Sequence, residues 1–267
     1  MSQSAAARRI TAIQQNLTRK HILLVEGQDD VEAFTRLIDQ HQPAWQSRWE
    51  ITAAGNRKLA LEIAREQPDW LVLVDRDEHT PAAAMPANVF LLPRFCLESY
   101  LVDPTELWKA LPAGQQARIV GGLGAFESAL LANLADWRRH AALWHVINPK
   151  WSGLRARGFN TDVLDPQRVP DDEQLRRTLT SWSQFMQADT LFDEVQQRLS
   201  EMTGQPLQEF LHRSLYAKAF FPLVVVPVLN QFLGQRSEAT LRKDLFALIP
   251  MPGDLDTLWS RMNLPTT

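Results

Sequence analysis

The chain has 267 residues, 45% hydrophobic and 22% charged, a composition that excludes disordered and fibrous classes. One cysteine excludes a disulfide framework and any multi-cysteine zinc site. The net charge of −3 gives no global basic signature for nucleic acid, and the whole deficit lies in residues 1–105, which carry 11 Lys and Arg against 14 Asp and Glu. Length admits one or two domains with a sizeable core. The opening MSQSAAARRITAIQQN lacks the apolar centre of a secretory signal, and no run approaches the roughly 18 apolar residues of a membrane helix. The expectation is a soluble cytoplasmic protein with no membrane partner.

The first hundred residues alternate between two periodicities. His21–Val25 (HILLV) is a short apolar run, followed by Val31, Phe34, Leu37 and Ile38 at helical spacing. Trp49–Ala53 (WEITA) alternates like a strand, and Leu59, Ile63 and Ala64 mark a helix closed before Pro68. Trp70–Val74 (WLVLV) is apolar throughout, as in a strand buried on both faces, and Val89–Leu92 between two prolines reads as a fourth strand. This order predicts an α/β fold, with a mostly parallel sheet flanked by helices. Beyond it, 105–111, 126–134, 173–186, 191–202, 207–221 and 238–248 read as helices, and 148–170 as irregular. A boundary is predicted near Asp103–Pro104, giving a domain over 1–105 and a mainly helical one over 106–267.

Acidic residues recur directly after strands. Glu26 follows the first and opens EGQDD; Asp75 follows the third and opens DRDEH, with Asp77 two residues on. Parallel strands end on one edge, where open α/β folds build their sites, so Glu26 and Asp75 should lie close in space. Asp30, in the first turn of the next helix, projects toward the same edge. Carboxylates so gathered repel, and a shared hard cation, Mg²⁺ or Mn²⁺, relieves the repulsion. Taken singly, Asp29 or Asp30 reads as an ordinary helix cap.

LLVEGQDDVEAF (23–34) with LVLVDRDEH (71–79) resembles the Toprim domain, the metal-binding module of topoisomerases, bacterial primases and the OLD nucleases. Glu26 matches the family's glutamate, Asp75 and Asp77 its paired aspartates, and Asp30 the acidic position of OLD-type members. AAGNRKLAL (53–61) resembles that subgroup's second motif, which includes Lys58. RFCLESYLVDP (94–104) resembles a segment of the OLD-like DUF4435 branch in which Glu98 is a further candidate ligand. The resemblance implies metal-dependent phosphodiester hydrolysis, with Glu26, Asp30, Asp75 and Asp77 as ligands. In that scheme Glu98 orients water or holds a second metal, and Lys58 offsets charge at phosphorus. It also implies an endonuclease effector of an ABC-type ATPase in anti-phage defence. No Gly-x-x-x-x-Gly-Lys-Ser/Thr loop occurs here, so that ATPase would be a separate polypeptide.

Between Trp137 and Asn160 lie five basic residues and no acidic ones, interleaved with Trp144, Trp151 and Phe159. Lys150, Trp151, Arg155 and Arg157 are candidate nucleic-acid contacts, suited to unpaired bases and so slightly favouring RNA, plausibly tRNA, over DNA. A tryptophan-rich core beneath a solvated face explains the same pattern. The apolar 220–232 reads as core, or as an oligomer or ATPase contact; a homodimer is admitted. The rival reading of the chain is a non-catalytic Toprim-fold adaptor that binds an ATPase.

Overall fold

A computed structural model describes residues 4–15, 19–77, 85–156 and 171–264. Its sheet has four parallel strands in the order β2-β1-β3-β4: β1 His21–Val25, β2 Trp49–Ala53, β3 Leu71–Val74 and β4 Val89–Leu91. The four predicted strands are therefore present, to within one residue at β3 and β4. Helix α1 (Ala5–Gln15) precedes β1, α2 (Gln28–His41) joins β1 to β2, and α3 (Arg57–Glu66) joins β2 to β3. After β4 the described chain is helical.

The sequence reading did not include α1. Its Ala6, Ile10 and Ile13 pack with Ala60, Ile63 and Ala64 of α3 against Ile22, Leu24, Val72 and Val74 of the sheet. Leu23 and Val25 point to the opposite face, beside α2, whose Phe34, Leu37 and Ile38 are buried. With both faces covered, β1 and β3 are apolar without alternation. Burying each such Leu, Ile or Val contributes about 1.5–3 kcal/mol against the cost of ordering the chain.

Two compact units divide the chain: Met1–Ala132 with Leu211–Arg213 and Ala217–Thr267, and Asn133–Phe210 with Ser214–Tyr216. The division differs from the predicted boundary after residue 105 because the sheet layer needs more cover than its own segment supplies. In the sheet unit, Trp259 meets Phe34 at 6.3 Å between rings, and the Trp49 indole donates to the Met262 carbonyl at 3.0 Å. Helices α4 (Pro104–Ala110), α5 (Ala113–Gln116) and α6 (Gly122–Leu130) belong to the same unit. Asp103 caps α4, its Oδ1 accepting from Thr105 and Glu106 N–H at 2.8 and 3.1 Å.

The other unit contains α7 (Leu134–Ala156), α8 (Asp172–Phe185), α9 (Ala188–Gly204) and the short α10 (Leu207–Glu209). Residues 148–156, read as irregular, continue α7 through Pro149; the rest of that stretch lies outside the described residues. The helix predicted over 207–221 is broken at Leu215–Tyr216. Returning to the sheet unit, the chain forms α11 (Ala217–Phe220), a π-helical turn Phe221–Val225, α12 (Val226–Leu233), α13 (Glu238–Phe246) and α14 (Asp256–Arg261). Phe220, Phe221, Val225 and Leu229 are buried, so 220–232 is largely core, although Leu223 is exposed. Among the described residues no single helix is long and apolar enough to cross a membrane.

Candidate metal centre at the sheet edge

The chain runs from β1 to β2 on one side and then returns past β1 to β3 on the other. The carboxyl ends of β1 and β3 therefore flank the switch point, where open parallel sheets leave a crevice. Glu26 and Asp75 stand at those two ends. Glu26 Oε1 accepts a hydrogen bond from the Asp75 backbone N–H at 2.9 Å, which fixes one acidic loop against the other. Asp30 turns back from α2 and accepts from the Gly27 N–H at 2.8 Å. Glu98, on the 3₁₀ turn Leu97–Leu101, faces the same space. Glu26, Asp30, Asp75 and Glu98 together line a cleft of about 650 Å³.

Burial acts on these carboxylates. It pushes Glu26 up to about 7, against the pull of the Asp75 amide, and Asp30 up to about 6, with Glu98 adding repulsion. Burial raises Asp75 as well, opposed by a cation absent from the sequence reading: Lys218 of α11. Its Nζ lies 2.8 Å from Asp75 Oδ2 and 3.0 Å from Asp77 Oδ1. Although burial opposes the Lys218 charge, the two aspartates hold its pKa above the ordinary lysine value.

Asp77 thus sits on Lys218, at φ 47°, and does not line the cleft. Lys58 is likewise not placed in it: its side chain is 88% exposed and approaches only Glu62, at 3.9 Å. The preceding residue takes the inward position. Asn56 caps α3, accepting from the Leu59 N–H at 2.9 Å, and the turn aims Arg57 at the Asp75 carbonyl and at Glu26, 3.9 Å away. Arg242 of α13 pairs with Glu98 at 3.5 Å and Asp29 at 3.1 Å. The signal for Lys218 was present in the sequence, since a lysine inside an otherwise apolar buried run needs an acidic partner.

Among the described residues, no three of Glu26, Asp30, Asp75 and Asp77 bring ligand atoms within 4.8 Å of one another. The cations explain the spacing: Lys218 and Arg57 hold the acidic loops, and like charges not held together stay apart. The donor set, hard carboxylate oxygens around a polar cleft, is the chemistry Mg²⁺ and Mn²⁺ require. The group that does meet that distance is Asp103, Glu106 and His212. There, both Glu106 oxygens receive Arg94, at 2.6 and 2.9 Å, and Asp103 Oδ1 is occupied in capping α4, which marks an ion-pair network.

In the helical unit, the basic-aromatic candidates lie on α7. Lys150 pairs with Glu194 at 3.2 Å and lies over the Phe185 ring. Trp151 is 43% exposed with Arg155 over its ring at 5.7 Å; Arg157 lies outside the described residues. Exposed Leu143, Ile147 and Trp151 follow one another at four-residue spacing, so this face is more apolar than the sequence pattern suggests. Trp144 stacks on Tyr216 at 3.8 Å. Compared with protein-family models and with curated proteins, the chain matches none.

Proposed function

We propose that the chain is a metal-dependent nuclease of the Toprim type, hydrolysing phosphodiester bonds at the cleft between β1 and β3. The observation that carries this reading is the convergence of Glu26, Asp30, Asp75 and Glu98, from separate segments, on one cleft at the switch point of a parallel sheet. Glu26, Asp30 and Asp75 would hold Mg²⁺ or Mn²⁺, which supplies Lewis acidity and lowers the pKa of a bound water. Without metal, burial raises Glu26 to about 7, so binding a cation there would release a proton near neutral pH. Lys218 and Arg57 supply fixed positive charge beside the carboxylates, where a phosphate must approach. The resemblance to DUF4435 proteins further supports an anti-phage effector controlled by a separate ABC-type ATPase. Lys150, committed to Glu194, adds little to the preference for RNA over DNA.

One observation favours the adaptor reading. Lys218, Arg57 and Arg242 already neutralise much of the acidic cluster, so a non-catalytic domain could retain it. Glu26→Gln separates the two. It keeps an oxygen to accept from the Asp75 N–H and removes the charge, so the fold should survive. Sequencing of RNA and DNA ends from cells expressing the wild type with its neighbouring genes should show new termini, and the variant should show them reduced by orders of magnitude. Equal termini in both would place the active site elsewhere; no termini in either, with the biological effect intact in both, would establish the adaptor.

A further inference from the structure

Two arginines lie at the same sheet edge beyond the carboxylates. Arg76, between Asp75 and Asp77, sends its side chain toward β4, where Nε donates to the Leu92 carbonyl at 3.2 Å. Arg213 is brought there by a backbone relay: the Asp77 N–H donates to the Phe95 carbonyl at 2.7 Å, and the Phe95 N–H to the His212 carbonyl at 2.8 Å. Arg213 is exposed and Arg76 half-buried. Among the described residues neither guanidinium has a carboxylate within ion-pair distance, although Arg57, Arg94 and Arg242 all do. The Arg213 charge is near enough to act on Arg76, and among the described residues no carboxylate pairs with either guanidinium.

Like charges side by side are costly unless an anion joins them, and the planar forks of two guanidiniums suit the two non-bridging oxygens of a phosphodiester. Across the edge the order is Glu26 and Asp30, then Asp75 with Lys218, then Arg76 and Arg213. We propose that Arg76 and Arg213 grip a backbone phosphodiester flanking the scissile one, so that a nucleic-acid strand crosses the sheet edge from β1 toward β4. The inference rests on the nuclease reading and adds a strand direction and a positioning pair.

The test uses fluorescein-labelled 20-nucleotide RNA and DNA single strands, with anisotropy read against KCl concentration in Ca²⁺. Each phosphate neutralised on a single strand contributes about 0.7 to the slope of log affinity against log salt, so R76A/R213A, which releases the one phosphate the pair grips, should lower the slope by about 0.7. R213A alone, at an exposed position, should lower it by roughly half that, and R76K/R213K should restore it. An unchanged slope in the double variant would overturn the proposal, as would a wild type that binds neither strand. Mg²⁺-dependent thermal stabilisation is read in parallel and should persist in R76A/R213A. Its absence from the wild type would count against the metal centre, whereas its presence beside an unchanged slope would count against the arginine pair alone.

Discussion

Lys218 holds Asp75 at 2.8 Å and Asp77 at 3.0 Å, closing a contact across 141 residues of sequence in the Asp77 case. One ammonium thereby does two things: it bridges the Asp-x-Asp pair and fastens α11 to the end of β3.

Replacing Lys218 by Met should leave two partly buried carboxylates facing each other. The loss falls between that of an exposed pair and that of a buried one, so about 2 kcal/mol is expected from urea unfolding in EDTA. Millimolar Mg²⁺ should then stabilise the variant more than the wild type, because the cation no longer competes with an ammonium. A smaller Mg²⁺ effect in the variant would mean that Lys218 is part of the metal-binding arrangement rather than its competitor.

Stability should also fall with rising pH in the absence of metal. Burial raises Glu26 to about 7 and Asp30 to about 6, so the native state holds protons that the unfolded chain has already released. That contribution is present at acid pH and is lost as pH climbs through 6 to 7. A divalent cation binds the deprotonated groups, so its stabilisation grows over the same interval. Melting temperatures in EDTA and in Mg²⁺ from about pH 5 to 8 should therefore diverge; parallel curves would contradict the assignment.

Arg94 should be the most sensitive charged residue of the sheet unit. Its side chain is 9% exposed, donates to both Glu106 oxygens and to Asp254, and stacks over Tyr100 at 4.2 Å. Arg94→Met strands two acids, and a loss of about 3 kcal/mol or more is expected by chemical denaturation. A loss below about 1 kcal/mol would show that solvent screens the network.

Lys58→Ala should change neither stability nor nucleic-acid cleavage, since the ammonium lies in solvent. Arg57→Ala should reduce both, because it removes the guanidinium that binds the Asp75 carbonyl beside Glu26. The comparison is a single activity assay on two neighbouring substitutions, and the opposite ranking would restore the family-derived role of Lys58.

The strands were legible because burial on both faces writes itself as uninterrupted apolar runs such as WLVLV, and the acidic edge because Glu26 and Asp75 end two of them. What stayed hidden depended on contacts between distant segments. Nothing local distinguishes Arg57 from Lys58 until Asn56 caps α3 and sets which side chain turns inward. Helix α1 was missed because its apolar face is only Ala6, Ile10 and Ile13 among polar neighbours. Gly27 of EGQDD is extended at φ −124°, ψ 171°, and a Cβ there would meet Asp30 Oδ2 at an ordinary 3.6 Å, so the acidic turn does not depend on a glycine. Residues 148–156 read as irregular because the stretch they open is rich in Gly, Pro, Asn and Arg, whereas α7 runs through them and carries Pro149 within the helix.

The placement of Lys218 also has a consequence in time. A ribosome adds about 5–20 residues per second, so the 141 residues separating Asp77 from its counter-ion correspond to roughly 7–28 s of synthesis. During that interval water and protons must serve the aspartates that Lys218 later holds, so the end of β3 gains its counter-charge only once α11 has been made.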